Sequence, residues 1–142
     1  MRIWFKDYQL QDLSNYAQGN MIETIGIDFI ELGVNFIKAR MPVDERTKTP
    51  FGLLHGGASC VLAETLGSFA AYLCIDPDRQ KTVGIEINAI HIKSLTEGHV
   101  IGLVTPIHLG KSTHVWDIRI HNEANQQLVC ISRLTTKVLP KA

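Results

Sequence analysis

The sequence has only three cysteines, Cys60, Cys74 and Cys130, and none forms a CxxC pair. An odd, scattered set of this kind argues against a disulfide framework and a structural zinc site, and fits a reducing, cytoplasmic setting. Neither sign of charge is in excess: 14 Lys plus Arg balance 14 Asp plus Glu, for a formal net charge of +0. That removes the basic surplus by which phosphate backbones are bound, so nucleic acid is not an expected partner. The first ten residues carry Arg2, Lys6 and Asp7 and no apolar run, and no signal peptide is expected. No repeat, low-complexity tract or linker breaks the 142 residues, which are expected to form one domain, 1–142. No two histidines stand at metal-ligand spacing beside an acidic residue, so no metal site is expected.

What is present is a long run nearly free of charge. The 20 residues from Gly56 to Ile75 hold a single charge, Glu64. That is the length of a membrane span, but a carboxylate near its middle is costly there and no Lys or Arg cluster anchors either end. Gly, Ala and Ser also keep its hydrophobicity modest. The run reads as the central helix of a soluble domain, packed on all sides, with no membrane partner. Around it, Leu10–Ala17 has helical spacing and Gly19-Asn20 stops it. Met21 to Leu32 shows no clear period. Val34 to Met41 alternates as a strand, with Asn35, Ile37, Ala39 and Met41 on one face. After Lys81 the pattern is sheet: Val83, Ile85, Ile87, Ala89 and His91 share a face, then Val100, Gly102 and Val104, then His114, Trp116, Ile118 and Ile120. A last strand carries Leu128, Cys130, Ser132, Leu134, Thr136 and Val138. One strand, a long helix and about four antiparallel strands predict an α+β hotdog fold, a curved antiparallel sheet wrapped around one long central helix.

The helix has two unlike stripes. Leu62, Leu66, Phe69 and Leu73 form a bulky one suited to a sheet. Gly57, Cys60, Glu64, Gly67, Ser68 and Ala71 form a small, partly polar one, which suits a site or a subunit contact built around Glu64. Ser68 lies one turn beyond Glu64, where its hydroxyl would orient the carboxylate. Leu54-His55-Gly56-Gly57 puts two glycines at the helix start, where free N–H groups and the helix dipole can hold an oxyanion. Gly56 and Glu64 are eight residues apart, roughly 12 Å along a helix. One carbonyl therefore does not reach both in one chain, whereas two helices antiparallel across a two-fold axis would bring them together.

The segments Met41-Pro42-Val43-Asp44, Pro50-Phe51-Gly52-Leu53-Leu54-His55-Gly56-Gly57-Ala58-Ser59 and Leu62-Ala63-Glu64-Thr65-Leu66-Gly67-Ser68 resemble the hotdog acyl-CoA thioesterases of the phenylacetate-pathway type. Within these, the chain looks most like the 1,4-dihydroxy-2-naphthoyl-CoA hydrolases of menaquinone biosynthesis and the enterobactin-proofreading thioesterases. The resemblance continues through Val83–Ala89, His91-Ile92-Lys93, His108-Leu109-Gly110, Val115-Trp116 and Ser132-Arg133-Leu134-Thr135. It implies hydrolysis of an acyl-CoA thioester, with Glu64 as nucleophile or general base and the Gly56 N–H polarising the carbonyl. His55 would assist, and Ser68 would support Glu64 or the attacking water. It implies a coenzyme A channel along Gly84, His91, Ile92, Lys93 and Ser94, and along His108, Leu109, Gly110, Lys111, Ser112 and Thr113. Lys93 and Lys111 would lie near the phosphates. No cofactor is implied beyond the coenzyme A of the substrate. The assembly implied is a homodimer with shared active sites, commonly paired into a homotetramer. One residue departs from the pattern: Thr49 stands where many relatives have a glutamine that reaches the reacting carbonyl. A hotdog dehydratase or hydratase using His55 and Glu64, and a non-catalytic acyl-CoA-binding module, are the alternatives.

Overall fold

The computed structural model describes residues 1–142. A short helix, α1 (Leu10–Tyr16), and one helical turn, α2 (Met21–Thr24), precede two strands, β1 (Asp28–Leu32) and β2 (Ile37–Pro42). The long helix α3 (Gly56–Leu73) follows, then β3 (Gln80–His91), β4 (His99–Leu109), β5 (Thr113–Asn122) and β6 (Leu128–Pro140). The six strands form one sheet in the order β1-β2-β4-β5-β6-β3, antiparallel throughout. α3 lies across the sheet and touches every strand from β2 to β6. This is the helix-in-sheet arrangement expected, with a further strand, β1, where the sequence showed no period.

Side-chain alternation does what it predicts on most strands. Ile37, Ala39 and Met41 of β2 are fully buried, as are Val100 and Val104 of β4, and Trp116, Ile118 and Ile120 of β5. They close on Leu62, Leu66 and Leu73 of α3. The helix comes nearest the sheet where glycines remove side chains. A Cβ on Gly67 would stand 2.5 Å from Leu134 Cδ2, and one on Gly102 would stand 2.6 Å from Leu66 Cδ1.

Three expectations need correction. β2 starts at Ile37 rather than Val34, because Gly33 N–H donates to Phe36 O and turns the chain. On β3, Val83 and Ile85 do not share the inner face with Ile87 and Ala89; they are 41% and 58% exposed. The register slips between Gly84 and Glu86, and a bulge of this kind switches the facing of every residue before it. Nor is α3 packed on all sides. Gly67 and Ala71, assigned to the small stripe, are buried against the sheet, whereas Gly57 and Glu64 are exposed. The helix therefore has one open face. No helix is long and apolar enough to cross a membrane.

Candidate active site

The open face of α3 carries two functional groups, one near each end of β3. The first is the helix start. His55 is the N-cap residue, and its Nδ1 accepts the Gly57 N–H at 2.8 Å. Ala58 and Ser59 N–H groups both donate to His55 O, at 3.0 and 3.2 Å. Gly56 N–H alone in this turn donates to no acceptor in the chain. A single spare N–H at the positive end of a four-to-five-turn helix is a ready donor to an oxyanion. The cap also fixes the tautomer of His55: an accepting Nδ1 leaves the proton on Nε2, which remains free to donate. The ring of His91, at the end of β3, covers the same spot, and a Cβ on Gly56 would lie 2.9 Å from its Nε2. Only a glycine leaves this approach open. Gly56, Ser59 and His91–Ser94, with Leu54 and Val129, line a cleft of about 210 Å³. Ser59, which the sequence reading passes over, sits three residues after Gly56 and so on the same face of the helix.

The second group is Glu64. Its Oε1 stands 3.1 Å from where a Cβ of Gly84 would be, so the glycine in β3 makes room for the carboxylate. Glu64 has no hydrogen bond or ion pair inside the chain; the five ion pairs involve other carboxylates. Burial, and after it the Glu64 charge, raises the neighbouring Cys60 thiol. Burial pushes Cys74 up to about 12 and Cys130 to about 11, so no cysteine here offers a thiolate at neutral pH. Ser68 makes no hydrogen bond to Glu64. It opens instead into an apolar groove of about 290 Å³ with Tyr16, Phe69 and Tyr72. The Tyr16 and Tyr72 hydroxyls pair at 3.3 Å, which with burial pushes Tyr72 up to about 12. Phe69 also packs edge-on to Phe29.

The other expected segment, His108 to Thr113, forms the turn between β4 and β5. Gly110 N–H donates to Thr113 O, Ser112 O accepts Val138 N–H, and the His108 ring folds over Gly110. Leu109 is 41% exposed. Lys111 belongs to a cleft with Gln80, at the opposite end of β3 from His91. Within one chain, Lys93 and Lys111 are thus separated by the 12-residue length of β3, some 35 Å of strand. Thr49 uses its hydroxyl to accept Phe51 N–H at 3.2 Å, and Gly52 N–H donates to Thr49 O. Its side chain holds a turn together and Phe51, 88% exposed, stands at the tip. No three His, Cys, Asp or Glu side chains cluster as metal ligands would.

Residues 51–129 match the thioesterase superfamily. The 1,4-dihydroxy-2-naphthoyl-CoA hydrolase of Escherichia coli (strain K12) is 50% identical over 137 residues, 96% of this chain and 99% of that protein. A proofreading thioesterase EntH of Cronobacter turicensis is 45% identical over 96% of this chain and 98% of its own length. Among solved structures, a variant of thioesterase PA1618 from Pseudomonas aeruginosa superposes with a TM-score of 0.94 at 45% identity, covering 98% of this chain and 99% of that one.

Proposed function

The chain belongs to the thioesterase superfamily, and from that footing we propose that it hydrolyses an aromatic acyl-CoA, of the 1,4-dihydroxy-2-naphthoyl-CoA kind, to the free acid and coenzyme A. The observation that carries the reading is the pair of unsatisfied groups on the open face of α3: the spare Gly56 N–H and the unpartnered Glu64 carboxylate. Hydrolysis needs both, a donor where negative charge develops and a base or nucleophile for the carbonyl carbon.

They meet if the site is shared between two copies. β3 is a free edge of the sheet, 12 residues long, with Ile85 and Ile90 58% and 60% exposed. A long, apolar, unpaired edge is a template for another strand. Glu64 sits over Gly84 and Gly56 sits under His91. An antiparallel pairing of β3 with its copy, its two-fold axis between Ile87 and Asn88, would set Gly84 opposite the partner's His91. Glu64 of one chain would then face the partner's Gly56, and the segment His108–Thr113 would approach the partner's Lys93.

In that site the thioester oxygen accepts the Gly56 N–H, with His55 Nε2 as a second donor. Glu64 takes a proton from water while the water oxygen bonds to the carbonyl carbon. The tetrahedral intermediate collapses, the C–S bond breaks, and the departing thiolate takes up the proton. Direct attack by Glu64, through an anhydride that water then opens, reaches the same products. The aromatic preference is supported by the groove beside Ser68, whose walls are the rings of Tyr16, Phe69 and Tyr72. Thiol release from a panel of aromatic and aliphatic acyl-CoAs tests the reading. Turnover is expected, fastest on aromatic members; no release from any member would overturn it.

A further inference from the structure

The cleft at the start of α3 holds a polar group that the hydrolysis described above leaves without a task, the hydroxyl of Ser59. We propose that Ser59 is a further catalytic residue, whose hydroxyl donates a hydrogen bond to the thioester sulfur as the C–S bond breaks. The inference rests on the thioesterase reading for the bond that is broken, and it adds a donor for the leaving group.

Three observations carry it. First, the hydroxyl is buried and unused. Ser59 is 1% exposed. Its backbone N–H donates to His55 O at 3.2 Å, but its Oγ does not return to that carbonyl. Ser14 Oγ donates to Leu10 O one turn back and Ser132 Oγ to Asn88 O, whereas Ser59 Oγ has no such partner. A buried hydroxyl without a partner is costly to a fold. Second, its oxygen faces the cleft. The polar atoms sealed from solvent without a partner are Tyr8 Oη, His114 Nδ1, Trp116 Nε1 and Thr136 Oγ1. Ser59 Oγ is not among them, so the little surface Ser59 keeps lies at its oxygen. That surface opens on the cleft of about 210 Å³ shared with Gly56 and Lys93. No carboxylate lines this cleft, and Lys93 has no ion pair. Donors and positive charge without an opposing acid suit a group that becomes an anion.

Third, the spacing sets the hydroxyl beside the reacting carbonyl. Ser59 follows Gly56 by three residues. Positions so spaced share a helix face and stand roughly 5–6 Å apart, and the Cα–Cβ bond tilts toward the helix start. The oxygen and sulfur of one thioester, each at hydrogen-bond distance from its own donor, bridge such a gap. In the shared site, the acyl groove of Ser68, Phe69 and Tyr72 belongs to the chain that supplies Glu64. The sulfur is thereby left to the chain that supplies Gly56 and Ser59. As the tetrahedral adduct collapses, the C–S electron pair goes to sulfur and the Ser59 O–H turns to it. The Ser59 proton stays on Oγ. The proton that ends on the thiol is the one Glu64 took from water or, on the direct-attack route, one released by the water that opens the anhydride. The need is greatest on that second route. There the adduct holds a carboxylate and a thiolate, and the carboxylate, the weaker base, leaves again unless the sulfur is stabilised.

The test varies the leaving group on one aromatic acyl group. The acyl-CoA and the S-para-nitrophenyl thioester of the same acid are assayed with wild type, Ser59→Ala, Ser59→Thr and, as a control, Ser14→Ala in α1. Ser59→Ala is expected to lower kcat for the acyl-CoA about 10- to 100-fold, the scale of a lost hydrogen bond to a charged group. On the aryl thioester it should stay within about three-fold of wild type, because an arenethiolate is a far weaker base and leaves unaided. Ser59→Thr keeps the hydroxyl and is expected to keep most of the activity. Ser59→Ala should also keep or raise the melting temperature, since the hydroxyl has no partner in the chain to lose. An unchanged kcat on acyl-CoA, or an equal loss on both thioesters, would overturn the inference and leave the hydrolysis itself standing. Failure of wild type to release thiol from either substrate would instead overturn the thioesterase reading.

Discussion

Glu64 and His114 show how differently two polar side chains are treated by this fold. Glu64 is exposed and unpartnered, set over the one β3 position that has no side chain. It contributes nothing visible to folding, so Glu64→Gln is expected to keep the melting temperature while lowering kcat at least about 10²-fold, the scale of a lost general base. A thiol-release assay with a melting curve on the same sample checks both. His114 is the reverse case. It is 6% exposed, its Nδ1 has no partner, and burial together with His108 holds it below its ordinary value of 6.5, against the opposing effect of the Gly110 backbone carbonyl as an acceptor. A depressed histidine is neutral in the fold and binds its proton more readily when unfolded. Its stabilisation is therefore complete above pH 6.5 and is lost as pH falls from there toward the lower folded value. Between those values wild type should lose up to about 1.4 kcal/mol per pH unit relative to His114→Phe. Denaturant titrations at pH 7.5, 6 and 5 measure the difference, and parallel losses in both proteins would contradict it. Both residues are visible in the sequence, but their environments are not. The apolar helix around Glu64 predicts a carboxylate with a partner; none is present within the chain because that face of the helix is open.

The helix itself is legible because its signals are local: a long run with a single charge, two glycines at the start, and a bulky stripe at helical spacing. What local pattern does not carry is where the sheet presses on it. Gly67 looked like part of a free small-residue face and is the point of contact with Leu134. Leu134 is fully buried, and its Cβ would be 3.2 Å from a Cβ at Gly67, so the leucine cannot swing aside. Gly67→Ala is expected to cost about 1–3 kcal/mol, and Gly102→Ala a comparable amount through Leu66 and Leu62. Chemical denaturation measures this, and unchanged midpoints would refute the close approach. The β3 bulge was equally invisible, since a one-residue slip is set by pairing with β6 and leaves the alternation of Val83 and Ile85 intact in the sequence. α2 and β1 were missed for a similar reason. Each is five residues or fewer, too short to establish a period.

At the scale of the whole molecule, the two halves of the candidate site lie on one helix, facing one way, and too far apart to act together within a chain. The family resemblance was legible across nearly the entire sequence. The opposite placement of Lys93 and Lys111 was not, because it depends on the direction in which β3 crosses the sheet. A free β3 edge, a Glu64 at one end and a Gly56 N–H at the other account for the whole arrangement if two copies pair. The most direct measurement is subunit complementation. Gly56→Pro removes the N–H at the first helical position, where His55 already holds the extended backbone a following proline requires, and it also sets a Cβ against the His91 ring that covers this spot. Glu64→Gln and Gly56→Pro should each be nearly inactive alone. A heterodimer of the two, purified through distinct tags, contains one site with an intact Glu64 facing an intact partner Gly56, and should recover about half the wild-type activity per dimer. A heterodimer as inactive as its parents, or a stable monomer with full wild-type activity, would contradict a site shared between chains.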